Sequence, residues 1–219
     1  MALTWPVVLA VLFGAFLHAS WNALVKSSTD KALDTALLNL LASFMAIPLV
    51  AWFGWPPVQA WPFIAASIVI HIGYYVALSG AYRHGDLGLT YPLMRGSAPL
   101  LVALSASVTL GETLSPMVWV GVVGVCAGVI TLGLTRHAFD APRAVQFALI
   151  NAVIIASYTV VDALGVRATG SAMQYVATLF LIDGWPFALI VFARRKWAVG
   201  TYIRQRWPFG LGGAAASIG

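Results

Sequence analysis

Ionisable side chains inside long apolar stretches are the residues of this chain best suited to chemistry. His71, Arg95 and Asp183 each lie within such a stretch. A charged residue costs about 2.5–3.5 kcal/mol at the centre of a membrane helix, so it normally faces a cavity or a partner. Arginine offers a planar fork of donors to a carboxylate or phosphate. A histidine or a buried aspartate can carry a proton, which makes His71 and Asp183 proton-coupling candidates.

Polar and aromatic residues accompany these positions at helical spacing. Tyr74 and Tyr75 follow His71 at three and four residues, and Trp21 and Asn22 follow His18 in the same way. Residues at this spacing share one face of a helix. We therefore predict that the substrate-binding residues are His18, Trp21, Asn22, His71, Tyr74, Tyr75, Tyr91, Arg95 and Tyr158. Together with Asp183, they are predicted to surround one cavity near the bilayer midplane.

Structural interpretations of the same residues stay open. His71 could be a neutral histidine bonded to a neighbouring helix. Arg95 could snorkel to the interface or pair with an aspartate, and Asp183 could neutralise Arg95 instead of carrying a proton. Asp162 and Glu112 are predicted to lie at span ends rather than in the cavity.

An enzymatic reading has little support. Asp162 and Asp183 on consecutive helices could share a proton and activate water, as in an intramembrane aspartyl protease. The residues before Asp183 are Leu181 and Ile182, which lack the Gly-x-Gly-Asp arrangement of those enzymes. The chain has no Walker loop, haem motif or zinc-ligand spacing, so we expect no cofactor, no metal and no enzyme activity.

The composition requires a bilayer. Apolar residues make up 61% of the chain and charged residues 9%, against about 25% charged in a typical soluble domain. The net charge of +5 lies mostly in short loops between apolar runs, which indicates membrane orientation rather than nucleic-acid binding. The single cysteine, Cys126, excludes an intrachain disulfide.

The apolar stretches predict seven full membrane spans and part of an eighth. Each approaches the roughly 20 residues that cross the hydrocarbon. The predicted spans are Trp5–Val25, Asp34–Phe53, Trp61–Tyr82, Leu89–Leu110, Pro116–Leu134, Arg143–Leu164, Met173–Ala193 and Pro208 onward. Gly121, Gly124 and Gly128 in the fifth span are predicted to allow close helix packing.

Two short segments recur in order along the chain. Ala19-Ser20-Trp21 matches Ala156-Ser157-Tyr158, and Trp61-Pro62-Phe63 matches Trp207-Pro208-Phe209. The repeat unit is then five helices, and an odd number of crossings inverts the second copy, as in many secondary transporters. We predict an all-α polytopic bundle of two inverted five-helix repeats, ten helices in the full protein. The first repeat would cover 1–135, and the second, 143–219, would be truncated in the eighth helix.

The loop charges predict an orientation. Ten of the twelve Lys and Arg residues follow the first, third, fifth or seventh span: Lys26, Lys31, Arg83, Arg136, Arg143, Arg194, Arg195, Lys196, Arg204 and Arg206. The positive-inside rule places these odd-numbered loops in the cytoplasm and the N-terminus outside.

Three motifs occur in order along the predicted spans: Phe16–Ala23 in the first span, Tyr91–Val102 in the fourth, and the Leu110-Gly111-Glu112 segment that follows. In this ordered set the chain resembles the EamA-type branch of the drug/metabolite transporter superfamily. The resemblance implies a transporter of the inner (plasma) membrane that moves a small polar or anionic metabolite, amino-acid-like or phosphonate-like, by alternating access. The implied partners are this substrate and the lipid bilayer, with a homodimer left open and no nucleic acid. A channel or non-transporting scaffold is the alternative.

Overall fold

The protein is built from helices. The computed structural model describes residues 5–109, 115–133, 136–196 and 198–218, and these ranges contain no strand. A single 3-10 turn, Val58–Ala60, precedes the third helix. The helices are α1 (Trp5–Ser27), α2 (Lys31–Phe53), α3 (Trp61–His84), α4 (Leu87–Thr109), α5 (Pro116–Gly133), α6 (Arg136–Asp140), α7 (Pro142–Thr169), α8 (Ala172–Arg195) and α9 (Ala198–Ile218).

Five of the described helices are long and apolar enough to cross a membrane: α1, α2, α3 with its preceding turn, α7 and α8. Large apolar side chains point outward from them, as with Phe13 and Phe16, which are 61% and 66% exposed. Water would disfavour such a surface, whereas hydrocarbon accommodates it. The chain is therefore an all-helical membrane protein, as predicted. The inverted repeat and the ten-helix count stay predictions.

Local sequence explains where the helices begin and end. The Asp30 carboxylate accepts hydrogen bonds from the Ala32 and Leu33 amides, both at 3.1 Å, and so caps α2. Gly54 and Gly170 end α2 and α7 with positive φ angles of 82° and 72°, which glycine adopts without steric cost. Only the short segment Gly170–Ser171 then separates α7 from the start of α8.

The described residues fall into two compact units. The first unit comprises Met1–Trp55 and Val176–Gly219, and in it α9 packs against α1 and α2. Glycines bring its helices close. A Cβ at Gly184 of α8 would overlap the Asn39 backbone of α2. In the same region the Ser43 hydroxyl donates to the Phe180 carbonyl at 2.8 Å.

The second unit, Pro56–Tyr175, is organised around α7, which packs against α3 and α4.

The structure corrects the prediction about the glycines of α5. A Cβ at Gly96 of α4 would overlap Val129 of α5, so the close α4–α5 contact uses the α4 glycine. The α5 glycines Gly121, Gly124 and Gly128 have no described atom beside them, so the predicted packing role is wrong within the described residues.

The last helix begins earlier than predicted. Sequence placed its start at Pro208, because proline favours the first turn of a helix. In the structure α9 already runs from Ala198, so Pro208 lies inside it and Arg204 and Arg206 are helical rather than in a loop. An internal proline removes one backbone hydrogen bond without necessarily ending a membrane helix. The first copy of this segment, by contrast, opens α3 with Pro62 in the first turn.

Candidate functional site

An aromatic cluster surrounds His71 in the second unit. The imidazole of His71 stacks on the Tyr158 ring of α7, with 4.3 Å between the ring centroids and 26° between the planes. Tyr74 meets both rings edge-on, at 6.0 Å from His71 and 5.8 Å from Tyr158. Tyr75 also lies 6.0 Å from His71. The structure thus brings together the predicted α3 face and the predicted tyrosine of α7.

The hydrogen bonds of His71 define which nitrogen carries its proton. Nδ1 lies 2.9 Å from the Ser67 carbonyl oxygen and 3.2 Å from the Ser67 hydroxyl. A carbonyl oxygen can only accept, so Nδ1 is the protonated atom of the neutral ring. In this tautomer Nε2 is the nitrogen that can accept a hydrogen bond.

Arg95 lies among tyrosines. Its guanidinium, half-buried on α4, interacts electrostatically with the hydroxyls of Tyr74, Tyr158, Tyr91 and Tyr82. Tyr82 and Tyr74 are buried, at 1% and 6% exposure. No described carboxylate of the second unit forms an ion pair with Arg95. Tyrosine hydroxyls can accept hydrogen bonds from a guanidinium, but they carry no negative charge to neutralise it. Within the described part of this unit, the positive charge of Arg95 therefore has no anionic partner.

Tyr74 and Tyr158 connect the surroundings of His71 with those of Arg95. Both rings contact His71, and both hydroxyls lie within electrostatic range of Arg95. The predicted residues His71, Tyr74, Tyr75, Tyr91, Arg95 and Tyr158 therefore form one neighbourhood on α3, α4 and α7. This arrangement can offer an anion a fixed positive charge, hydroxyl donors and flat apolar rings.

Asp162 joins this neighbourhood, although sequence placed it at a span end. The Tyr175 hydroxyl donates to its carboxylate at 2.9 Å. The Ser67 hydroxyl and His71 also interact with this carboxylate. The signal that could have indicated this contact is the tight turn at Gly170, because a short turn brings residues that flank it in the chain close together.

The remaining predicted residues belong to the first unit. On α1, the Trp21 indole donates to His18 Nδ1 at 3.1 Å, and the Asn22 amide donates to the His18 carbonyl at 2.7 Å. Trp21 and Asn22 are buried, and so is Asp183 on α8. The predicted face of α1 therefore exists. The prediction that residues of both units surround a single cavity stays a prediction.

The first unit also contains an ionic cluster that was not predicted from the sequence. Arg206 of α9 contacts the Asp34 carboxylate of α2 through two nitrogens, Nη2 at 2.7 Å and Nε at 3.3 Å. The Tyr202 hydroxyl donates to the same carboxylate at 2.8 Å. Beside it, Arg195 pairs with Asp30 at 2.9 Å. These arginines were counted only as loop charges, since nothing in the sequence aligned α9 with α2.

Comparison of the chain with protein-family models, curated proteins and solved structures finds no match. The resemblance to EamA-type transporters therefore stays a prediction, and a function has to be argued from the geometry of the described residues.

Proposed function

We propose that the protein is a secondary active transporter that moves a small polar or anionic metabolite, amino-acid-like or phosphonate-like, across the inner (plasma) membrane. The proposal places it with the EamA-type drug/metabolite transporters. On this proposal the protein catalyses no covalent reaction and needs no cofactor. Its partners are the substrate and the lipid.

The observation that carries the proposal is the environment of Arg95. A guanidinium held among tyrosines, with no carboxylate paired to it within its unit, is costly in a membrane protein unless it has a function. An anion arriving from water would satisfy its donors in a bidentate contact. The rings of Tyr74 and Tyr158 would shape the space for the rest of the substrate.

Transport by this site requires alternating access. We propose that the two five-helix repeats rock against each other, as inverted-repeat transporters do. The face formed by His18, Trp21 and Asn22 would contribute further substrate contacts. His71 and Asp183 are the proton-coupling candidates from sequence, because both are ionisable and within membrane-length helices.

Transport by full-length protein in proteoliposomes tests the proposal. We expect at least one radiolabelled member of a panel of amino acids and alkylphosphonates to accumulate when a pH gradient is imposed, and to exchange with unlabelled substrate inside. Empty liposomes and neutral sugars serve as controls. If no anionic or zwitterionic metabolite exchanges, the transport proposal fails and a scaffold function is favoured.

Cysteine labelling tests the orientation, with odd-numbered loops in the cytoplasm. Ser27, after the first span, and Gln59, before the third, are both exposed. With Cys126 replaced by alanine, Ser27→Cys should react with an impermeant maleimide only after the cells are permeabilised. Gln59→Cys, on the opposite side, should react in intact cells. The reverse pattern would overturn the assignment.

A further inference from the structure

Asp162 is the one described carboxylate of the second unit that lies beside the residues around His71 and Arg95. No described arginine or lysine pairs with it. It sits on α7, within a helix long and apolar enough to cross the membrane. Its neighbours are a tyrosine hydroxyl, a serine hydroxyl and an imidazole. Among the described residues, no permanent cation therefore fixes the charge state of this carboxylate.

The contact between Asp162 and Tyr175 depends on a glycine of α7. Tyr175 is fully buried, at 0% exposure, and its ring lies against Gly165 of α7, where any Cβ would overlap it. The absent side chain at Gly165 lets the ring cross α7 and reach the carboxylate three residues earlier. The hydroxyl distance of 2.9 Å is that of a well-formed hydrogen bond.

His71 links Asp162 to the substrate site. It interacts with the charge of Asp162 and stacks on Tyr158, and Tyr158 in turn interacts electrostatically with Arg95. The titratable groups that face Asp162 are His71 from α3 and Tyr175 from α8. Helix α4, which also packs on α7, contributes Tyr91 and Arg95, and the neighbours of Arg95 are tyrosines.

We infer that Asp162 is the proton-binding group that couples transport to the pH gradient, with His71 and Tyr158 relaying its charge state to the anion site around Arg95. The inference rests on the proposed function and replaces Asp183 as the coupling carboxylate. A proton forms an O–H bond with the carboxylate on one side of the membrane and leaves from the same oxygen on the other. Loss of the negative charge changes the electrostatic environment of His71, which stacks on Tyr158.

Asp162→Asn in full-length protein tests this, with the exposed Asp140→Asn as the matched control. Using the panel metabolite with the highest wild-type flux, we expect Asp162→Asn to lose at least about tenfold of the accumulation driven by a pH gradient, at equal amounts of reconstituted protein. Substrate exchange is measured alongside. Asp140→Asn should match wild type in both assays. Two outcomes would overturn the inference about Asp162 but not the proposed function. One is that Asp162→Asn still accumulates substrate in response to a pH gradient. The other is that wild type exchanges substrate but shows no accumulation driven by pH. Absence of exchange in wild type would instead overturn the proposed function.

Two further measurements keep the test decisive if Asp162→Asn does not fold. Infrared titration of the reconstituted protein, with no substrate added, should show a protonated-carboxyl carbonyl band that shifts in Tyr175→Phe. In Tyr175→Phe the pH midpoint of uptake should also shift by about one unit, since the carboxylate loses a hydrogen bond. An unchanged band and an unchanged midpoint would show that Asp162 is a structural residue.

Discussion

Replacing Arg95 with alanine should abolish transport while leaving the amount of folded protein in the membrane unchanged. Removing one partner of a desolvated ionic contact costs about 2–5 kcal/mol, which corresponds to a loss of affinity of about thirtyfold or more. Uptake of the panel metabolite into proteoliposomes, normalised to reconstituted protein, measures the effect. The unfolding temperature of the purified variant is measured alongside, because Arg95 interacts electrostatically with four tyrosines.

Two companion variants separate the anion-binding role from a general effect of charge. Arg95→Lys keeps the charge but loses the planar fork, so it should recover transport poorly if the contact is bidentate. Arg83→Ala removes an exposed arginine from α3 in the same unit and should transport normally. Normal transport by Arg95→Ala would support the alternative in which Arg95 only snorkels to the interface.

Helical periodicity and hydropathy were sufficient to predict the local groups of the site. The face formed by His71, Tyr74 and Tyr75 follows from spacing alone, because residues three and four apart share a helix face. The same holds for Trp21 and Asn22 beside His18, which hydrogen-bond within α1. Membrane length and apolarity likewise predicted the long helices, since both are properties of a single segment.

Contacts between helices could not be predicted in the same way. Asp162 meets Tyr175 because Gly165 leaves room for the tyrosine ring, and no periodicity encodes that fit. The α5 glycines illustrate the opposite error, because a small-residue pattern indicates that a close contact is possible but not which helix makes it. The start of α9 was misplaced because Pro208 is compatible with the first turn of a helix and also with its interior.

Arg206→Ala should lower the stability of the first unit more than any single loss of a surface charge. The Asp34 side chain is only 8% exposed and Arg206 is 22% exposed. Removing the arginine would leave a buried carboxylate with Tyr202 as its remaining donor from α9. Breaking a buried pair in this way costs on the order of 3 kcal/mol, or roughly 6–12 °C in unfolding temperature for a chain of this size. Fluorescence-detected thermal unfolding of the purified protein measures this shift.

Tyr202 provides an independent readout of the same cluster. Burial and the hydrogen bond to Asp34 raise the pKa of Tyr202 to about 12, from about 10 in an unfolded chain. A group whose pKa is raised on folding stabilises the folded state fully below its unfolded pKa, and this contribution is lost as the pH rises through the folded pKa. Wild type should therefore lose more stability than Tyr202→Phe between about pH 10 and 12.

The controls for the ion pair are present on the same helix. Arg204 is exposed two residues away, and no described carboxylate pairs with it, so Arg204→Ala should shift the unfolding temperature little. The double variant Asp34→Asn/Arg206→Gln leaves no unpaired charge, so it should recover at least about half of the loss in Arg206→Ala. If Arg206→Ala unfolds at the same temperature as Arg204→Ala, the pair contributes no more than a surface charge. In that case the contact between α2 and α9 depends on the packing of Leu37 and Leu38 against Gly210 and Gly213.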